Sequence, residues 1–285
     1  STAFDADYLG YIYSREDVVR ALNKYSGLVV FKKITSGEIA AKLAAGDVLG
    51  YFSLEKGSEF GPRALGARSI LADPRSLKTW SFINRWVKFR EDFRPFAPMV
   101  ARDYLSKYFD CDGSFPYMLE VVSVREEYRN QLLAITHVDG TARVQTVDKG
   151  VNESLHDLLL NFMDASGFPI LLNTSFNVRG QPIVETPCQA IEMLLSTHLS
   201  GLVMGDYLVE MGHGGQISLQ DILSFSPGTK IVAETSLTGT IRKIIVSSQG
   251  KQTQLPSYLF QILEALDGEK NVASLTKEVP ENLIA

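Results

Sequence analysis

Apolar residues fall at helical spacing in several stretches of the chain. Val18, Val19 and Leu22 follow Ser14 and Asp17, a helix-start pair, and Gly27 closes that segment. A second helix is expected from Ser36, with Ile39, Ala40 and Leu43 on one side and Gly46 as its stop. Residues 76–90 predict a longer helix on which Trp80, Ile83, Asn84 and Val87 share a face, and residues 188–199 another. Between these lie short continuous apolar runs of strand character: Leu28–Phe31, Val48–Phe52, Tyr117–Val122 and Ile170–Leu172, the last two expected to be buried. Helices and strands alternate without early hairpins, which predicts a mixed α/β domain.

The pattern changes at Gly212-His213-Gly214-Gly215, a flexible connector by composition. Beyond it, Thr240–Val246 and Lys251–Leu255 flank Gln249-Gly250 as a hairpin. Pro256 opens a helix carrying Leu259, Ile262, Leu263 and Leu266, and Val272–Val279 suits another. The expected organisation is a main domain over 1–211, a linker at 212–216 and a small hairpin-plus-helices module over 217–285.

Composition narrows the function. The chain has 285 residues and a formal net charge of -5, so it is not built to hold polyanions over its whole surface. Any anion site must be a local cluster. Cys111 and Cys188 cannot build a disulfide framework or a cysteine-rich zinc site, which suits a reducing compartment and a cytoplasmic location. No apolar run approaches the roughly 20 residues of a membrane span, and Asp5 and Asp7 stand where a signal peptide would be basic.

Four segments set polar side chains beside glycine or proline: Glu59–Ser69, Lys88–Pro98, Thr136–Gln145 and Asn173–Gly180. Guanidinium forks pair with phosphate or carboxylate oxygens, and glycines let backbone N–H groups approach an anion. Asn173 and Ser175 lie two apart after an apolar strand, so extended backbone puts them on one face. Singly, each segment also suits a plain role: Gly-Pro-Arg as a surface turn, Arg94 as an ion-pair partner, Asn173-Thr-Ser as a cap or turn. Together, so many polar side chains call for a shared anionic ligand, because burying them unpartnered is costly. The phosphate loop Gly-x4-Gly-Lys-Ser/Thr and the dinucleotide motif Gly-x-Gly-x-x-Gly after a strand are both absent. His156 and His198 suit helix surfaces or core edges; His137 lies inside the third segment.

The phrases Glu-Phe-Gly-Pro-Arg-Ala-Leu-Gly at 59–66, Arg-Ser-Ile-Leu-Ala-Asp-Pro at 68–74, Phe-Arg-Pro-Phe-Ala-Pro at 93–98, Thr-His-Val-Asp-Gly-Thr-Ala-Arg-Val-Gln at 136–145 and Leu-Leu-Asn-Thr-Ser-Phe-Asn-Val-Arg-Gly at 171–180 resemble, in combination, the C-terminal domain of the O-carbamoyltransferases that modify antibiotics, nodulation factors and related natural products. The resemblance covers about residues 8–210. It implies a YrdC-like fold, a twisted mixed sheet with helices and a concave basic groove. It implies carbamoyl phosphate and ATP as ligands, with Mg²⁺ escorted by the nucleotide and no metal cage in the protein, and carbamoyl adenylate as the product. The family's anion-binding positions correspond here to Arg63, Lys88, Arg94, Arg143, Asn173 and Ser175, of which Lys88, Arg94 and Arg143 are the catalytic candidates; His137 is a further candidate. Transfer to an acceptor hydroxyl is implied to need an N-terminal, actin-like ATPase-fold domain outside this chain. Local departures are Glu55–Ser58 where the family has Gly-Arg-Met, Ala67 for an asparagine, and Phe89 for a histidine. The tail from 217 faintly resembles winged-helix modules. Two rival readings remain on the same fold: a threonylcarbamoyl-adenylate synthase, and a double-stranded RNA-binding module, against which the acidic charge argues.

Overall fold

The computed structural model describes residues 8–88 and 95–212, and three strands beyond them. The chain divides into two compact units, residues 1–215 and 216–285. The first unit holds helices α1 (Arg15–Lys24), α2 (Ser36–Ala44), α3 (Leu77–Phe82), α4 (Leu105–Tyr108), α5 (Glu126–Arg129), α6 (Glu153–Ser166) and α7 (Pro187–Ser196). Its strands are β1 (Val29–Lys33), β2 (Leu49–Phe52), β3 (Arg68–Ala72), β4 (Ala97–Ala101), β5 (Val121–Ser123), β6 (Thr141–Arg143), β7 (Gln145–Val147), β8 (Ile170–Ser175), β9 (Gly201–Met204) and β10 (Tyr207–Met211).

Capping sets the helix starts. The Ser14 and Asp17 side chains each bond the other's backbone N–H, and Thr35 with Glu38 and Thr186 with Gln189 repeat the arrangement. Helix α6 starts on the Asn152 side chain and ends at Gly167, whose φ of 86° needs no Cβ. Eight strands form one mixed sheet in the order β1-β10-β9-β2-β3-β8-β4-β7. Two of its pairings, β2 with β9 and β4 with β7, are parallel, and the others are antiparallel.

Strand residues feed two cores in alternation. Ile70, Val100, Ile170, Leu172, Leu202 and Met204 join one core with α1 and α7; Leu71, Met99, Ala101, Leu171 and Val203 join the other with α2 and α6. A sheet buried on both faces explains why its strands read as continuous apolar runs rather than alternating ones.

Two expectations are corrected. Over 117–122 there is no buried strand. Tyr117, Leu119 and Val121 are exposed, and Met118 has a left-handed φ of 54°, which breaks the extended path. Only Val121–Ser123 pair, with β6. The helix expected from residue 76 is α-helical only to Phe82. Ile83–Val87 widens into a π turn, closed by the Lys88 N–H on the Ile83 carbonyl at 2.8 Å. Its face is as expected, with Ile83, Asn84 and Val87 fully buried.

In the second unit, β11 (Lys230–Thr235), β12 (Ile241–Val246) and β13 (Gln252–Gln254) form an antiparallel sheet, with Ile245 opposite Thr253. The helices expected at 256–266 and 272–279 lie outside the described residues, as does Arg94. Among the described residues no helix is long and apolar enough to cross a membrane.

Candidate functional site

The end of β8 emerges between β3 and β4, with Asn173 opposite Leu71 on one side and Ala97 on the other. A cleft of about 200 Å³ opens there. Arg63, His137, Arg143, Asn173 and Ser175 all line it, together with Met118 and the Pro95–Ala97 segment that leads into β4. Five of the expected site residues thus meet from three separate chain segments.

The two arginines line the cleft, and no carboxylate among the described residues lines it with them. Arg63 is exposed, Arg143 is half-buried, and neither forms an ion pair among the described residues. Desolvation and then the charge of Arg143 push the Arg63 guanidinium below its usual value. Two like charges brought together in this way favour an anion between them.

The loop that carries Arg63 is tied down from beneath. Glu59 Oε1 accepts the backbone N–H groups of Leu65 and Ala67, both at 2.7 Å, and of Arg68 at 3.1 Å. The Gly66 N–H goes to the Ser69 hydroxyl. Gly66 has φ 103°, and a Cβ there would lie 2.3 Å from Leu155 Cδ2, so only glycine fits. Arg68 is fully buried, its guanidinium 3.6 Å from the Phe52 ring centre and its Nη1 on the carbonyls of Ser53, Lys56 and Ala67. Burial pushes this guanidinium down to about 10.

Lys88 takes a different place from the arginines. It is 3% exposed and does not line the cleft. Its ammonium donates to the Ser175 carbonyl and hydroxyl and to the Asn177 carbonyl and side-chain oxygen. The Ser175 hydroxyl in turn donates to Asn177 Oδ1 at 2.7 Å. Lys88 therefore knits the turn after β8 and sets a positive charge behind Ser175.

Asn173 is 1% exposed, and its Nδ2 donates to the Ala64 carbonyl at 3.0 Å and to Gln145 Oε1 at 2.8 Å. His137 Nδ1 lies 3.1 Å from the Thr141 hydroxyl, which donates to Asp139 at 2.6 Å. With that proton committed, His137 Nδ1 is the donor and Nε2 keeps the lone pair. Burial, then Arg143, lower the histidine's pKa below 6.5, with Asp139 opposing.

Glu59, Arg68, Gln145 and Asn177 stand within the quoted phrases but carry no expected role there. Their partners are backbone groups or side chains brought near only by folding. Among the described residues no group of three or more His, Cys, Asp or Glu gathers.

Comparison with known proteins identifies the family of the chain. A family described as Carbamoyltransferase C-terminus matches residues 40–211. The chain is 39% identical over 250 residues to the nodulation protein NolNO of Sinorhizobium fredii, covering 84% of the chain and 36% of that protein. It is 40% identical over 271 residues to the nodulation protein NolO of Bradyrhizobium diazoefficiens, covering 89% of the chain and 48% of that protein. A 3'-hydroxymethylcephem-O-carbamoyltransferase of Streptomyces clavuligerus is 39% identical over 168 residues, 59% of the chain and 31% of that protein. The chain thus spans between 31% and 48% of the length of these relatives.

Proposed function

The chain belongs to the carbamoyltransferase C-terminal family, and from that premise we propose that its cleft binds carbamoyl phosphate and ATP and forms carbamoyl adenylate. One observation carries this reading: Arg63 and Arg143 converge, with no carboxylate partner among the described residues, on a cleft also lined by Asn173 and Ser175.

The reaction divides into two balanced steps. Water cleaves carbamoyl phosphate into carbamate and inorganic phosphate. A carbamate oxygen then attacks the α-phosphorus of ATP, and the bond to the β-phosphate oxygen breaks to release pyrophosphate. Negative charge is greatest on the phosphoryl oxygens at both stages, and Arg63 and Arg143 are placed to offset it. Lys88 acts through the turn it holds, with its charge behind Ser175. Arg94 is proposed as a further phosphate ligand on the resemblance alone. Mg²⁺ carried by the triphosphate would supply charge neutralisation at the phosphates, held by the nucleotide rather than by protein carboxylates. The sheet and helices around the cleft are read as a YrdC-like fold, and the compartment as the cytoplasm. Because the chain covers 36% and 48% of its two nodulation relatives, transfer to an acceptor hydroxyl is assigned to an actin-like ATPase-fold domain outside these 285 residues.

The test is pyrophosphate release from ATP and Mg²⁺ by the 285-residue chain, with and without carbamoyl phosphate. Release that depends on carbamoyl phosphate is expected. Release that is the same without it, or that requires threonine and bicarbonate, overturns the reading.

A further inference from the structure

We infer that Gln145 fixes which way the Asn173 amide faces, and thereby makes the cleft select an acyl group that carries an N–H donor over one that does not. The inference rests on the carbamoyl phosphate reading and adds to it a positioning residue and a basis for selectivity.

The orientation follows from groups that have no choice of role. The Leu65 carbonyl can only accept. It receives Gln145 Nε2 at 2.8 Å and the Tyr8 hydroxyl at 3.1 Å. The nitrogen of Gln145 must therefore face Leu65, and Oε1 is left facing Asn173. The Ala64 carbonyl can likewise only accept. Asn173 Nδ2 lies between it and Gln145 Oε1, at 3.0 and 2.8 Å, so both amide protons of Asn173 are taken. Turning the Asn173 amide over would set its oxygen against two acceptors.

What remains for a ligand is a lone pair. Asn173 Oδ1 is buried and has no partner among the described residues, although Asn173 lines the cleft. An ionised phosphate oxygen is an acceptor too and gains nothing there. The amino group of carbamoyl phosphate is a donor and satisfies it. Gln145 is itself 3% exposed, so water does not compete for its bonds. The arginines would take the phosphoryl end of the molecule and Asn173 the amino end. A site built to bond an N–H rejects the analogue that lacks it, because its own buried group is then left unmet.

Acetyl phosphate is the natural probe, since it replaces the amino group by a methyl of similar size. Titration calorimetry of the full chain with freshly dissolved carbamoyl phosphate, acetyl phosphate and inorganic phosphate reads the effect. The unaltered chain is expected to bind carbamoyl phosphate at least about tenfold more tightly than acetyl phosphate. Gln145→Met leaves the Ala64 carbonyl as the one anchor of the Asn173 amide and is expected to narrow that gap, while leaving inorganic phosphate binding unchanged. Equal affinity of the unaltered chain for both acyl phosphates overturns the inference and leaves the functional reading standing. A gap undiminished in Gln145→Met, or a variant that loses all three ligands alike, overturns the positioning role. An unaltered chain that binds neither acyl phosphate removes the functional reading, and this inference with it.

Discussion

Arg63 and Arg68 stand five residues apart in one motif-dense phrase, and folding gives them opposite fates. Arg63 is exposed at a cleft beside a second arginine. Arg68 is fully buried against the Phe52 ring and three carbonyls, above the loop that Glu59 ties together. The first region leaves its guanidinium groups open to the cleft; the second turns Glu59 Oε1 and Arg68 Nη1 onto its own backbone, while Glu59 Oε2 and Arg68 Nε and Nη2 are buried without a hydrogen-bond partner among the described residues. A dense polar phrase therefore encodes a site and the frame that holds it, and only the contacts tell them apart. A desolvated guanidinium on an aromatic face gains about 2 kcal/mol or more, which suits a frame rather than a ligand.

The largest expected effect separates the two regions by stability. Glu59→Ala strips one acceptor from three backbone N–H groups and removes a negative charge that favours the ionised form of Arg68. Charge-assisted bonds contribute about 1.5–3 kcal/mol each and are not additive on one oxygen, so a loss of roughly 3 kcal/mol in urea unfolding is expected. Arg63→Ala should change stability by less than about 0.5 kcal/mol, as exposed substitutions do. Equal losses would erase the distinction between frame and cleft.

The frame was the less legible half of this molecule. Helices α1 and α2 declare themselves by Ser14, by Ser36 and by apolar spacing, and the strand at Ile170–Leu172 by its apolar run. Helix α6 shows the same signals, Asn152 as cap, Leu155, Leu158, Leu159 and Phe162 on one face and Gly167 as stop, and the pattern reading passed over it. The run at 117–122 misled because apolar residues there serve a loop, with Met118 lining the cleft. The cleft residues Arg63, Arg143, Asn173 and Ser175 were reached through the family resemblance, with the polar segments beside glycine and the two-residue spacing of Asn173 and Ser175 in support. Gln145 and Asn177 were not, since Gln145 bonds Leu65, 80 positions away, and Asn177 bonds Lys88, 89 positions away. Separation of that size leaves no local period to read.

On the cleft side, Arg143→Ala sharpens the comparison through binding. The substitution removes one of the two guanidinium groups at the cleft and leaves the hydrogen bonds of the Glu59–Arg68 frame in place. Affinity for ATP or carbamoyl phosphate should fall by roughly 1.5–3 kcal/mol in calorimetric titration, with the urea midpoint nearly unmoved. Unchanged affinity for both ligands would return Arg143 to the surface.

The smallest effect is a proton. His137 lines the cleft, and its pKa is lowered by burial first and by Arg143 second, against the opposing pull of Asp139. The neutral form is thus the folded one, and protonation favours unfolding. The histidine's contribution to stability is present above the unfolded value of 6.5 and is lost as pH falls from there toward the lower folded pKa. An anion held between the arginines reverses one of these causes by offsetting the Arg143 charge. Its own negative charge also favours imidazolium. Sulfate is a suitable probe because it does not titrate across this range. In an NMR titration, with the His137→Gln variant to assign the signal, the free chain should show a pKa below 6.5. Saturating sulfate should raise it by on the order of half a unit. By reciprocity, sulfate should then bind more tightly as pH falls through the same interval. Such coupling needs an anion beside the group, so the buried Glu59–Arg68 frame, which does not line the cleft, should contribute none of it. A His137 pKa above 6.5 in the free chain, or one that ignores sulfate, would detach this histidine from the anion site.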